Sequence, residues 1–168
     1  VSIMRILVLF SFWVSTTMQA DILISLEATL VRPACVITNE NGDKELYINF
    51  PNVAIERLTE EKATFGILIK QCDLRKNLQI YLSPKEGSTL NINNETVLST
   101  TTKGLGIRIS EENKSSAIDL LKWQQIYPKI VGDTARITLQ SQLATDQNPQ
   151  SLEAGPFSAA LSVMIDYL

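Results

Sequence analysis

The chain has 168 residues, 45% of them apolar and 20% charged, with a formal net charge of −3, which suits one domain with a core of its own. A small negative balance with no basic run argues against nucleic acid or an anionic membrane surface as partner, since both require clustered Lys and Arg. Histidine is absent, which removes the commonest general base and metal ligand and, with them, the Ser/His/Asp and Cys/His catalytic arrangements.

The first twenty residues carry one charge, Arg5, ahead of an apolar run over 6–14 and a small, polar tail ending in Ala20. That order is the one of a secretory signal peptide. A membrane anchor is the alternative, but nine apolar residues fall short of the about twenty that a hydrocarbon core demands. Residues 21–31 then alternate, with Ile22, Ile24, Leu26, Ala28 and Leu30 on one side. Period two over this length is a β-strand, broken at Arg32-Pro33 because proline has no N–H for a ladder.

Cys35 and Cys72 are the only cysteines. In an exported chain they read as one disulfide, a closure that stabilises by roughly 3–4 kcal/mol in the chain-entropy picture. Two free buried thiols are the alternative; a metal site is poorer, for want of further ligands. Asn41-Gly42 marks a hairpin turn. Residues 46–50 alternate and stop at Pro51, and 52–62 read as a loop with one helical turn. Strands are expected over 63–72, 77–82, 104–110 and 133–144, with a turn at Ser83-Pro84 and Gly87 and a loop over 91–103. Residues 117–130 fit neither period, and Pro128 limits any helix there.

From Phe157 to the last residues every second side chain is apolar: Phe157, Ala159, Leu161, Val163, Ile165 and Tyr167. Seven to nine short β runs without a helix predict an all-β sandwich, most economically one immunoglobulin-like domain. Gly104-Leu105-Gly106 lacks the third glycine of a dinucleotide fingerprint, and a glycine inside a strand more commonly marks a bulge or a close backbone approach. The acid pairs Glu60-Glu61 and Glu111-Glu112 suit solvated loops. No enzyme activity, cofactor or metal is expected. The two alternating termini remain, and they admit two readings. Either 22–30 pairs with 157–167 within one molecule, or each pairs with a neighbouring chain by β-augmentation. Arg32-Pro33 beside Cys35, which would make the arm separable, favours the second.

With these residues in view the chain resembles the pilin subunits of chaperone–usher fimbriae. In that family the terminal strand carries a glycine fourteenth from the end, a penultimate aromatic and alternating apolar residues between them. Here those positions hold Gly155, Tyr167, Ile165, Val163 and Leu161. The N-terminal arm is similar to the family's donor strand, except that Ala28 stands where a glycine is expected, adding a methyl at a crowded point. The resemblance implies a signal peptide over 1–20, a donor extension over 21–34 and a pilin domain over 35–168. That domain would be an incomplete immunoglobulin-like sandwich lacking its seventh strand, completed in trans. Ile22, Ile24, Leu26, Ala28 and Leu30 would be the donor strand. Gly155, Phe157, Leu161, Val163, Ile165, Tyr167 and Leu168 would form the edge that takes a chaperone strand and then a neighbour's arm. The implied partners are a periplasmic chaperone, an outer-membrane usher and neighbouring pilins, with the cell-surface fimbria as destination. Few glycines and many charges favour a minor subunit, similar to the tip adaptors of P and type 1 fimbriae. A terminator subunit, or a self-complete secreted immunoglobulin-like binding domain, is the other reading.

Overall fold

The computed structural model describes residues 35–44, 50 and 53–168. The expected signal segment 1–20, the arm 21–34 and the strand expected over 46–50, apart from Phe50, lie outside the described residues. Everything below belongs to the unit Arg32–Leu168.

Ten strands and two short 3-10 turns, Ile55–Glu60 and Pro149–Ser151, make up the described elements. They are β1 (Val36–Thr38), β2 (Lys62–Lys70), β3 (Leu78–Glu86), β4 (Thr89–Ile92), β5 (Glu95–Ser99), β6 (Leu105–Glu111), β7 (Gln124–Ile126), β8 (Lys129–Val131), β9 (Thr134–Thr145) and β10 (Ala160–Tyr167). One sheet runs β1–β2–β9–β6–β5–β4, with β8 also on β9; the other runs β10–β3–β7. Every pairing between these strands is antiparallel.

Period two explains the core. β2 turns Phe65, Ile67 and Ile69 inward, β6 turns Leu105, Ile107 and Ile109, and β9 turns Ala135, Ile137, Leu139 and Leu143. From the second sheet Leu78, Ile80 and Leu82 of β3 join the same apolar cluster. Alternate residues of a strand share one face, so each run supplies one row. The row of β9 is interrupted by Ser141, which is buried and gives its hydroxyl to the Ala63 carbonyl at 2.9 Å. A buried hydroxyl with a partner avoids the desolvation cost of an unpaired one. The expected disulfide is present: Cys35 and Cys72 have Cα atoms 4.8 Å apart, just beyond the Val36–Lys70 pairing of β1 with β2.

Two expectations are corrected. Residues 91–103 are not all loop: β4 and β5 form a hairpin around Asn93-Asn94, both at positive φ (52° and 64°). Asparagine tolerates the left-handed region that a primed hairpin turn requires, so Asn-Asn does the work of Asn-Gly. The chain does not turn at Ser83-Pro84 either, because β3 continues to Glu86. Pro84 lies opposite Leu161, past the Leu78–Ile80 stretch where β3 has β7 on its other side. Alternation points the missing N–H toward that vacated side, so the ladder loses nothing.

The stretch that fitted neither period has a structural reason for it. It crosses from one sheet to the other. Ile118 donates its N–H to the Ile109 carbonyl of β6 (2.7 Å), Leu120 to Thr96 of β5 (3.1 Å), and Leu121 to Leu82 of β3 (2.8 Å), after which β7 pairs with β3. A segment that changes its neighbours every few residues cannot keep one buried face. Leu121 sits at φ 63° to make the change, a conformation uncommon for a bulky side chain.

Gly106 is a close approach, as its place in a strand implied. A Cβ there would lie 2.8 Å from Val97 Cγ2 and 3.2 Å from the Leu98 carbonyl. Gly106→Ala should therefore lower the denaturant midpoint, at an overpacking cost of about 1–3 kcal/mol; an unchanged midpoint would show that β5 yields instead. Next to it, Arg108 reaches across to Glu95 (Nε to Oε2, 2.6 Å), and this hydrogen bond, opposed by partial burial, holds the Glu95 carboxyl below the usual carboxylate range. Its stabilising contribution is present above the ordinary glutamate titration and is lost as pH falls through the lowered one. Glu95→Gln should remove that part of the acid sensitivity in an unfolding series against pH.

Candidate functional site

Of the residues singled out at the C-terminus, Leu161, Val163, Ile165 and Tyr167 fall on one strand, β10, whereas Gly155 and Phe157 precede it and Leu168 follows it; among the described residues that strand is at a sheet edge. β10 pairs antiparallel with β3 from Tyr167↔Leu78 to Leu161↔Pro84. On its other side no strand lies among the described residues. The Leu168 N–H donates to the Asn77 carbonyl at 2.9 Å, which sets the alternation. Residues 162, 164 and 166 turn their backbone groups toward β3, and 161, 163, 165 and 167 turn theirs outward. At Tyr167 these groups have nearby partners: its N–H donates to Asp166 Oδ1 (2.8 Å) and its carbonyl accepts from Gln79 Nε2 (2.9 Å).

The outward-bonding residues are also the ones whose side chains point into the sandwich. Ile165 is buried, whereas Leu161, Val163 and Tyr167 are only partly covered although they pack on the core. One strand inward, Leu78, Ile80 and Leu82 of β3 are 2%, 0% and 0% exposed. Cover over the apolar layer thus thins toward β10. Phe157 is half-buried, its ring 6.2 Å from that of Phe50. Gly155 precedes the strand, exposed and at φ 136°, with nothing within 4 Å of where a Cβ would be; its backbone conformation, not crowding, calls for glycine. Leu168 is exposed at the end of the strand. The expected arm residues Ile22, Ile24, Leu26, Ala28 and Leu30 lie outside the described residues.

Sequence reasoning missed what Tyr167 does inside the molecule. Its hydroxyl accepts the Asp73 N–H at 2.6 Å, one residue past Cys72. The end of β10 is thereby tied to the disulfide. Alternation marks the ring as inward-facing but says nothing of where the hydroxyl ends. Thr101 was also missed; it holds Ser158, just ahead of β10. Neither acid pair builds a site: Glu111 bonds Lys114 at 3.1 Å, and Glu60 and Glu112 are exposed. Among the described residues no cluster of acids or cysteines could hold a metal ion, and no helix is long and apolar enough to cross a membrane.

A family model described as "Fimbrial protein" matches residues 24–168. Among solved structures, the P pilus rod subunit PapA is similar over 81% of this chain and 100% of its own, at 15% identity and a TM-score of 0.56. The P pilus adaptor subunit PapF, studied for its polymerization reactivity, is similar over 83% and 100%, at 20% identity and a TM-score of 0.55. A subunit from the structure of a chaperone–usher pilus is similar over 91% and 99%, at 14% identity and a TM-score of 0.55. No curated protein matches the sequence significantly.

Tyr167→Phe should speed hydrogen exchange at the Asp73 amide and cost about 1 kcal/mol of stability, the net worth of one such bond. An Asp73 amide that exchanges at the same rate in both proteins would show that the hydroxyl does not anchor the strand.

Proposed function

The chain belongs to the fimbrial protein family and is a fimbrial subunit; from that premise we propose that it is assembled by donor-strand exchange along β10, as a minor pilin or tip adaptor. One observation carries the reading. β10 has a strand neighbour on one side only among the described residues, and its inward row is half-covered on the other. An exposed edge of this kind is a template for another chain's strand. A strand laid there would take up backbone groups of Leu161, Val163 and Ile165 and complete the cover over Leu161 and Val163. Full burial of such side chains contributes about 1.5–3 kcal/mol each.

On this reading a periplasmic chaperone lends the strand first, and a neighbouring pilin's arm replaces it at the outer-membrane usher. Residues 22–30 of this chain are in turn the strand given to the next subunit. The export signal over 1–20 and the disulfide fit passage through an oxidising periplasm to the cell-surface fimbria. Seven glycines and 20% charged residues favour a minor subunit over a rod-forming one.

Deleting 21–31 should leave a subunit that still co-purifies from the periplasm with a chaperone-sized partner but is not joined to the neighbour it would donate to. Normal incorporation of the deletion mutant would overturn the donor role of the arm. A stable, soluble monomer from the mature chain expressed by itself would overturn the incomplete-sandwich reading in favour of a self-complete domain.

A further inference from the structure

The alternating run begins before β10 does, and the structure shows what holds its first residues. Between Ala160 and Leu161 the register on β3 shifts: Ala160 faces Glu86 and Leu161 faces Pro84, so Lys85 is the extra residue of a bulge in β3. Ahead of Ala160, residues 157–159 have no strand pairing. They are nonetheless held. The Thr101 N–H donates to the Ser158 carbonyl at 2.9 Å, and the Ser158 N–H donates to Thr101 Oγ1 at 2.9 Å. This reciprocal pair is what a strand neighbour would supply, with a hydroxyl standing in for one backbone carbonyl.

Thr101 sits where β3 can no longer reach. Beyond Glu86 the chain turns at Gly87 into β4, and Ser99 at the end of β5 bonds back to that corner, its N–H donating to the Ser88 carbonyl at 3.1 Å. Two residues on, Thr101 takes up the line of partners that β3 leaves. Its loop is braced from within and from β9. The Thr100 N–H and hydroxyl both donate to the Leu105 carbonyl (3.0 and 2.9 Å), and the Thr145 hydroxyl donates to the Gly104 carbonyl at 2.8 Å. The Thr-rich run 100–102, which has no part in the function so far, thus presents one fixed partner to Ser158.

The alternation of backbone groups then runs past the end of β10. The bulge is in β3, so β10 itself keeps phase. Ser158, like 162, 164 and 166, turns its N–H and carbonyl to an inner neighbour, while Phe157 and Ala159 turn theirs to the same outer edge as 161, 163 and 165. Phe157 also packs against the core beside Phe50, as an inward member of the row would.

We propose that Thr101 is a positioning residue that prolongs the acceptor edge beyond β3, so that an incoming strand pairs along the eleven residues 157–167 rather than the eight of β10. This inference rests on the strand-exchange reading above and adds the length of the edge and the residue that sets it.

The test uses the mature chain 21–168 refolded with fluorescent peptides copied from residues 21–31, and with the shortened peptides 21–27 and 25–31. Thr101→Val, which keeps the shape and loses the acceptor, should release the long peptide about three- to tenfold faster than wild type, the effect of one hydrogen bond. Thr101→Ser, which keeps Oγ1, should behave as wild type. The shortened peptide that does not reach 157–159 should leave wild type and Thr101→Val at one rate. Equal release of the long peptide from wild type and Thr101→Val, or equal acceleration of all three peptides, would overturn the proposal. Hydrogen exchange on the wild-type complex reads the same point without a substitution. Binding the long peptide should slow exchange at the Phe157 and Ala159 amides, and unchanged exchange there would refute the longer edge. If wild type retains no peptide, strand exchange itself fails, and this inference with it.

Discussion

A β-strand has two edges, and each carries donors and acceptors that must be met by another strand, a side chain or water. In this chain that requirement bears on β10, which has a strand on one side only among the described residues. Its inner edge is filled by β3 over its whole length. Its outer edge presents backbone groups of alternate residues whose side chains are the same ones that line the sandwich. Among the described residues, strand pairing and apolar cover are therefore both one-sided at the same place, for the same geometric reason. In an antiparallel pair the residues whose backbone groups face a given edge are every second one, and those share a face. On the proposed reading, one incoming strand meets both requirements at once.

The rest of the fold keeps that edge straight. At one end the Tyr167 hydroxyl bonds the backbone beside Cys72, and the disulfide joins that point to β1 and β2 of the other sheet. At the other end Ser158 is held by Thr101, on the loop between β5 and β6 of that same sheet. The strand between belongs to the second sheet through β3. β10 is thus fixed at both ends to the sheet it does not pair with, and at its centre to the sheet it does. A strand held at three points cannot turn its half-covered apolar row away from the core.

The fimbrial family gives this arrangement its setting, and solved structures of pilus subunits share the fold at low identity. The disposition of β10 follows from rows of inward-facing side chains that many sequences can supply. In this chain the ends of the strand are held by polar contacts, Tyr167 with Asp73 and Thr101 with Ser158.

Much of the architecture was legible residue by residue. Phe65, Ile67 and Ile69, then Leu78, Ile80 and Leu82, then Ile137 and Leu139 declare strands because period two reports which side chains share a face. The single pair of cysteines, read together with the expected export signal, predicted the disulfide that the structure contains. The alternation of Leu161, Val163, Ile165 and Tyr167 named the terminal strand. Period two cannot report which strand lies alongside. The sheet order, the one-sided pairing of β10, the crossing of 117–126 between sheets and the run of β3 through Pro84 all depend on partners far apart in the chain. The same holds for the Tyr167 hydroxyl, whose partner is ninety-four residues away, and for Ser158, fifty-seven from Thr101. A local pattern fixes which face of a strand is buried, because neighbours in sequence decide it. Only the tertiary structure decides which edge is met, because that depends on where the rest of the chain has gone.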